Sequence, residues 1–142
     1  MSTVRDMLRR KGSEVYSVTS NETVYETLTV MSMHNTGAVL VMSEGKLEGI
    51  VSERDCVRKV DLVGKNAKTT KVSEIMTAKV ITIDAGQDLE ECMNLMIDNN
   101  IRHLPVYDNG KLMGLISVRD MLKEVVDYQR SLIEQLEQYI KG

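Results

Sequence analysis

GIVSERD at residues 49–55 returns as GLISVRD at residues 114–120, with Gly, Ser, Arg and Asp kept and only the other positions exchanged. The offset of 65 residues holds without a gap from 15–60 onto 80–125. Over that span 13 of 46 positions are identical, where average composition would give roughly three. The chain is therefore an internal duplication. GKL recurs at 45–47 and 110–112, and Val24, Leu28, Met31 and Val39 find Leu89, Met93, Met96 and Leu104 in the second copy. Upstream, VRDML (4–8) resembles VSEIM (72–76) once a three-residue change of length is allowed.

Both copies spell the same elements. VYSVT (15–19) and VITID (80–84) alternate as short strands do. Val24, Leu28 and Met31, and then Leu89, Met93 and Met96, fall at the i, i+4, i+7 spacing of an amphipathic helix. AVLVM (38–42) and LPVY (104–107) read as strands, followed by the turns SEGK and DNGK and the return strands LEGIV (47–51) and LMGLI (112–116). Asn109-Gly110 is a strong hairpin signal, because both residue types accept positive φ. The glycines of GKLEG and GKLMG suit hairpin geometry alone. A last helix starts after Ser52 or Ser117. The expected unit is β-α-β-β-α, with its first two strands parallel across a helical crossover. The uncovered sheet face is too apolar to stay wet, so the expected fold is α/β (α+β), two repeats packed sheet to sheet around a pseudo-two-fold axis.

Composition narrows the classes of function. Hydrophobic residues make up 42% and charged residues 27% of the 142 residues, as in ordinary globular domains. With five Tyr, no Phe and no Trp, the ten Met must fill part of the core. A formal charge of −3 gives no general attraction to nucleic acid or anionic membrane. No apolar run is long enough for a transmembrane helix, and MSTVRDMLRRKG lacks the apolar stretch of a signal peptide. The expectation is a cytoplasmic protein. Cys56 and Cys92 read as buried small hydrophobes, and the two histidines, His34 and His103, have no ligand cluster around them, so no metal site is expected. No nucleophile–base pair or carboxylate constellation suggests an enzyme.

The stretch DLVGKNAKTTK (61–71) reads as a polar linker. The final helix extends from Val118 to about Ile140, longer than a repeat needs. Val125, Leu132, Leu136 and Tyr139 give it a near-heptad seam, which suits a tail packed back on its own domain or, as the preferred expectation, a homodimer contact.

The heptapeptide admits two readings. Ser-x-x-Asp after a strand and before a helix is close to a capping box, in which Ser52 bonds a backbone N–H and Asp55 reaches back. The same helix start offers free N–H groups and the positive end of a dipole to an anion. Ser donates to phosphate, Arg54 and Arg119 supply forked charge-assisted bonds, and Asp55 accepts both hydroxyls of a ribose. Neither a G-x-G-x-x-G nor a G-x-x-x-x-G-K-[ST] motif competes.

The paired units, clearest in IRHLPVYDNGKLMGLISVRDML (101–122), resemble tandem cystathionine-β-synthase (CBS) domains over about residues 3–128. The whole chain is similar to small stand-alone bacterial CBS pairs. The resemblance implies a division into repeat one at 1–67, repeat two at 68–128 and a helical tail at 129–142. It further implies a non-catalytic regulatory module whose two clefts bind adenosine compounds such as AMP, ADP, ATP, S-adenosylmethionine or NAD(H), with no obligatory cofactor. By position, Asp55 and Asp120 would hold ribose, and Ser52 and Ser117 would meet phosphate. The purine would lie against Val18, Thr19, Gly37, Ala38 and Val39 in copy one. In copy two it would lie against Ile83, Asp84, Arg102, His103, Leu104 and Pro105. Arg102-His103 resembles a phosphate-contacting pair of AMP-activated kinase regulatory subunits, whereas copy one has Gly37-Ala38 there. An unidentified target protein is a further expected partner. The alternative is an interaction scaffold in which Ser-x-x-Asp survives only as helix caps.

Overall fold

A computed structural model describes residues 3–142. The two copies carry the same order of elements at the same offset, save that β4 begins one residue late. Copy one runs β1 (Ser17–Val18), α2 (Val24–His34), β2 (Ala38–Ser43), β3 (Lys46–Ser52) and α3 (Glu53–Cys56), preceded by α1 (Val4–Lys11). Copy two runs β4 (Ile83–Asp84), α4 (Leu89–Asn99), β5 (His103–Asp108), β6 (Lys111–Ser117) and α5 (Val118–Lys141). Each forms a three-stranded sheet, β1-β2-β3 or β4-β5-β6, with the first pair parallel and the second antiparallel. The register repeats too: Ala38 faces Ser52 as His103 faces Ser117, with a bulge at Val41/Met42 and again at Val106/Tyr107.

Local chemistry explains the boundaries. Thr23 and Asp88 cap α2 and α4 by accepting from the backbone N–H of Glu26 and Glu91, and Asn35 and Asn100 close both helices in the left-handed conformation. Both hairpins turn on two residues of positive φ, Glu44-Gly45 and Asn109-Gly110, the requirement of a type I′ turn. Glutamate in that position costs about 1–2 kcal/mol relative to glycine or asparagine. The parallel strands β1 and β4 are shorter than their alternating pattern predicts. In copy one the backbone N–H of Leu40 extends the ladder to the carbonyl of Tyr16 at 3.0 Å. In copy two the matching residue is Pro105, which has no N–H to give.

The compact units are not cut where the duplication is. One consists of Val15–Val80, the other of the N-terminal residues up to Glu14 together with Ile81–Gly142. The reason is an exchange of leading segments. The 3-10 turn Val72–Glu74 precedes copy two but bonds to copy one, from Val72 N–H to the carbonyl of Glu22 at 2.8 Å. Reciprocally, α1 precedes copy one but bonds to copy two, from Val4 N–H to the carbonyl of Gln87 at 3.0 Å. Val4, Met7 and Leu8 thus enter a core with Leu89, Leu104, Val106 and Ile116, and Val72 and Ile75 enter one with Val24, Val39, Val41 and Val51. The linker docks on its own unit, where the carbonyls of Ala67 and Thr70 accept from Tyr25 and Val24 at the start of α2.

This exchange corrects the reading of the repeated glycine. Gly49 and Gly114 sit in β3 and β6 with negative φ, so turn geometry does not demand them. A Cβ at Gly49 would lie 2.6 Å from Met76 Sδ and 3.0 Å from the carbonyl oxygen of Thr77, and one at Gly114 would lie 2.8 Å from Leu8 Cδ2. Met76 and Leu8 occupy matching places in VSEIM and VRDML. Glycine therefore makes room for the docked leading segment.

Ala38, Leu40 and Pro105 are buried. Cys56 and Cys92 are buried free thiols that burial pushes up to about 11, consistent with packing residues rather than reactive ones. Among the described residues no helix is long and apolar enough to cross a membrane. Beyond Val125, α5 is exposed all round.

Candidate functional site

The repeated Ser-x-x-Asp forms a complete capping box in both copies. Ser52 and Ser117 end their strands in extended conformation, at φ −115° and −117°, immediately before α3 and α5. The Asp55 Oδ2 accepts from Ser52 N–H at 2.9 Å and from Ser52 Oγ at 3.0 Å, while Ser52 Oγ accepts from Asp55 N–H at 3.1 Å. In copy two the same three distances are 2.8, 3.0 and 3.2 Å. One further bond fixes each corner: Glu53 N–H donates to the carbonyl of Gly37, and Val118 N–H to that of Arg102, both at 3.0 Å. The cap uses one carboxylate oxygen and leaves the other for further work.

That second oxygen is where the copies part. Asp55 Oδ1 faces Lys59 Nζ, one helical turn on, at 3.4 Å. Copy two has Glu124 at the place of Lys59. Glu124 instead holds Arg10 of α1 at 2.6 Å, and the next residue, Lys11, donates to Asp120 Oδ2 at 2.5 Å. No hydrogen bond reaches Asp120 Oδ1 from the described residues.

These contacts set an acid limit on stability. Burial pushes the Asp120 carboxyl up, but the hydrogen bonds from Lys11 and Ser117 and the Lys11 charge outweigh it and hold it below the ordinary 3.8. Asp6 is lowered by its bonds from Thr3, and Asp108 by its bond from Arg5. Carboxyls depressed on folding stabilise the native state fully above their unfolded pKa, and that contribution is lost as pH falls through the folded one. The melting temperature should therefore hold from pH 7 to about 5 and decline below about pH 4. Circular-dichroism melts across that range check this; a melting temperature unchanged at pH 3 would contradict it.

The remaining sequence-derived candidates fall into three places. Gly37 and Ala38, with Arg102 and His103, lie at the starts of β2 and β5, directly beside the Ser–Asp corners of their own sheets. Val18 and Ile83 pair with Val41 and Val106, and Thr19 and Asp84 follow at the far end of the same sheets, so one repeat does not gather all its candidates. Val18, Val39, Ile83 and Leu104 belong to the cores, and Pro105 is buried, leaving chiefly backbone for a ligand. Thr19 and Asp84 serve local turns, Thr19 N–H donating to Glu22 and Asp84 accepting from Gly86 N–H. Arg54, Arg102 and Arg119 are exposed. Sequence reasoning missed Lys11 and Lys59. Lys59 was within reach of an i, i+4 rule applied to Asp55, whereas Lys11 lies 109 residues from Asp120 and leaves no local signal.

The family model of the CBS domain matches residues 4–62 and again 72–127. The chain belongs to the CBS domain family. The CBS domain-containing protein CBSX3, mitochondrial, of Arabidopsis thaliana is 36% identical over 99% of this chain and 73% of its own. Among solved structures, a protein with CBS domains from Burkholderia ambifaria MC40-6 is 45% identical, with a TM-score of 0.86 over 89% of this chain and 95% of the other. The CBS domain pair of protein MJ0100, solved in complex with 5′-methylthioadenosine and S-adenosyl-L-methionine, is 25% identical at a TM-score of 0.77, covering 90% of this chain and 98% of that one. The CBS matches coincide with the duplication, each ending beyond its Ser–Asp corner.

Proposed function

We propose that this CBS pair is a regulatory binding module for adenosine nucleotides (AMP, ADP, ATP or NAD) with no catalytic chemistry of its own. The observation that carries the reading is the Ser–Asp corner, built twice with the same geometry in a chain similar to a CBS pair that holds two adenosine compounds. Ribose hydroxyls donate to the carboxylates of Asp55 and Asp120. Ser52 and Ser117, with Arg54, Arg119, Arg102 and His103, face the phosphate side, and backbone at Gly37, Ala38 and their counterparts receives the purine. The acceptor of each corner is already oriented by the cap, so little ordering cost falls on binding. Arg102-His103 against Gly37-Ala38 makes the two corners unequal in charge, which favours different ligands or different affinities.

A regulatory effect requires that ligand bind two states unequally. The element suited to report such a change is α5, whose first turn carries Asp120 and whose end is exposed: Leu136 is 61%, Tyr139 86% and Ile140 82% accessible in the single chain. In this reading a second copy covers that face as a homodimer, and a target protein responds to the altered contacts.

The complete caps also suit a scaffold that binds no nucleotide. Asp120→Ala separates the two. Both readings expect a lower melting temperature, by loss of a cap contributing about 0.5–2 kcal/mol. Only the nucleotide reading expects weaker AMP binding, by roughly 10- to 150-fold for a lost charged hydrogen bond. Calorimetric titration alongside thermal melts checks it; reduced stability with unchanged AMP affinity in both Asp55→Ala and Asp120→Ala would decide for the scaffold.

A further inference from the structure

The geometry points to Lys11 as the residue that reads the phosphate of a nucleotide whose ribose is held by Asp120, an assignment that rests on the nucleotide reading above. Lys11 lies outside the heptapeptide and outside the copy it serves. It reaches Asp120 because α1 docks on copy two, and its place there is fixed twice over. In copy one the carbonyl of Ile50 accepts from Thr77 N–H at 2.9 Å. In copy two the matching carbonyl, Leu115, accepts from Lys11 Nζ at 2.8 Å instead. The adjacent pair of Arg10 with Glu124, at 3.0 and 2.6 Å, holds the last turn of α1 against the first turns of α5.

An ammonium group has three donors. Lys11 gives one to Leu115 and one to Asp120 Oδ2, and its side chain is 31% accessible. One donor is left over, next to the unused acceptor Asp120 Oδ1. A free acceptor and a free cationic donor side by side suit a ligand with hydroxyls to donate and an anionic oxygen to accept, as a sugar phosphate has. Lys11 also cancels the carboxylate charge that would otherwise repel a phosphate at this corner. Copy one lacks the arrangement, since Lys59 pairs with Asp55 Oδ1 itself and bonds the carbonyl of Ile75 at 2.9 Å.

The test is calorimetric titration of the full chain, parent and Lys11→Met, with adenosine and with AMP. Because Lys11 also holds Asp120, the readout is the ratio of the two affinities rather than either alone. The parent should prefer AMP, and Lys11→Met should shrink that preference by about tenfold or more; Lys11→Arg should restore most of it. An AMP-to-adenosine ratio unchanged in Lys11→Met would overturn the assignment and leave Lys11 a positioning residue. A parent that binds neither ligand would instead overturn the nucleotide reading, and the Lys11 assignment with it. Melting curves of both variants confirm that the compared proteins are folded.

Discussion

Gly49→Val should destabilise the protein by about 3 kcal/mol or more, lowering its melting temperature by roughly 6–12 °C. Even a Cβ at this position meets the Met76 side chain too closely: Sδ lies at 2.6 Å and Cγ at 2.9 Å. The thioether could swing aside, but the third neighbour, the Thr77 carbonyl oxygen at 3.0 Å, is backbone. That oxygen accepts from Ile50 N–H at 3.0 Å, and Thr77 N–H donates back to Ile50 at 2.9 Å, so moving it breaks a reciprocal pair. Displacing the segment also withdraws Val72 and Ile75 from the core. Gly114 supplies the control, because its near contact is only the tip of Leu8 at 2.8 Å. Gly114→Ala should thus cost less than Gly49→Ala, measured by chemical denaturation. Equal costs would mean that the Thr77 backbone does not set the penalty at Gly49.

Deleting residues 129–142 should leave a folded core and dissociate the proposed homodimer. The removed segment lies entirely in the exposed part of α5 and contributes nothing to either core. It carries Leu132, Ile133, Leu136, Tyr139 and Ile140, each at least 40% accessible in the single chain. A helical segment of this length is marginal on its own in water, and the proposed homodimer would cover its apolar face. Fully burying an aliphatic side chain contributes about 1.5–3 kcal/mol, and losing three per chain weakens association by roughly a thousandfold or more. Analytical ultracentrifugation at micromolar concentration should show the full chain as a dimer and the truncated chain as a monomer with a nearly unchanged melting temperature. A truncated chain that stays dimeric would place the contact elsewhere.

The duplication, the hairpins and the caps were legible in the sequence because each depends on neighbours a few residues apart. Asn109-Gly110 announces its turn, and Ser117 with Asp120 announces its cap, through side chains that need only three residues of chain to meet. The resemblance of VRDML to VSEIM was equally visible, but not the copy on which each docks. That depends on bonds such as Val4 to Gln87, formed across more than half the chain. For the same reason the glycines of GIVSERD and GLISVRD looked like hairpin residues until Met76 and Leu8 were seen above them. Pro105 hid the other way: with no N–H to give, it cannot form the bond that Leu40 gives to Tyr16 in copy one. At the site, the four repeated residues of the heptapeptide gave the capping box and with it the carboxylate proposed to accept from a ribose. They said nothing of Lys11, whose arrival depends on the docking of α1 on copy two.

The claim that these corners hold adenosine nucleotides is tested most directly by calorimetric titration of the unmodified full chain with AMP. Saturable binding that adenosine competes for, and that Asp120→Ala weakens at least tenfold, is the predicted result. No saturable heat with AMP, and none with ADP, ATP or NAD at millimolar concentration, would contradict it.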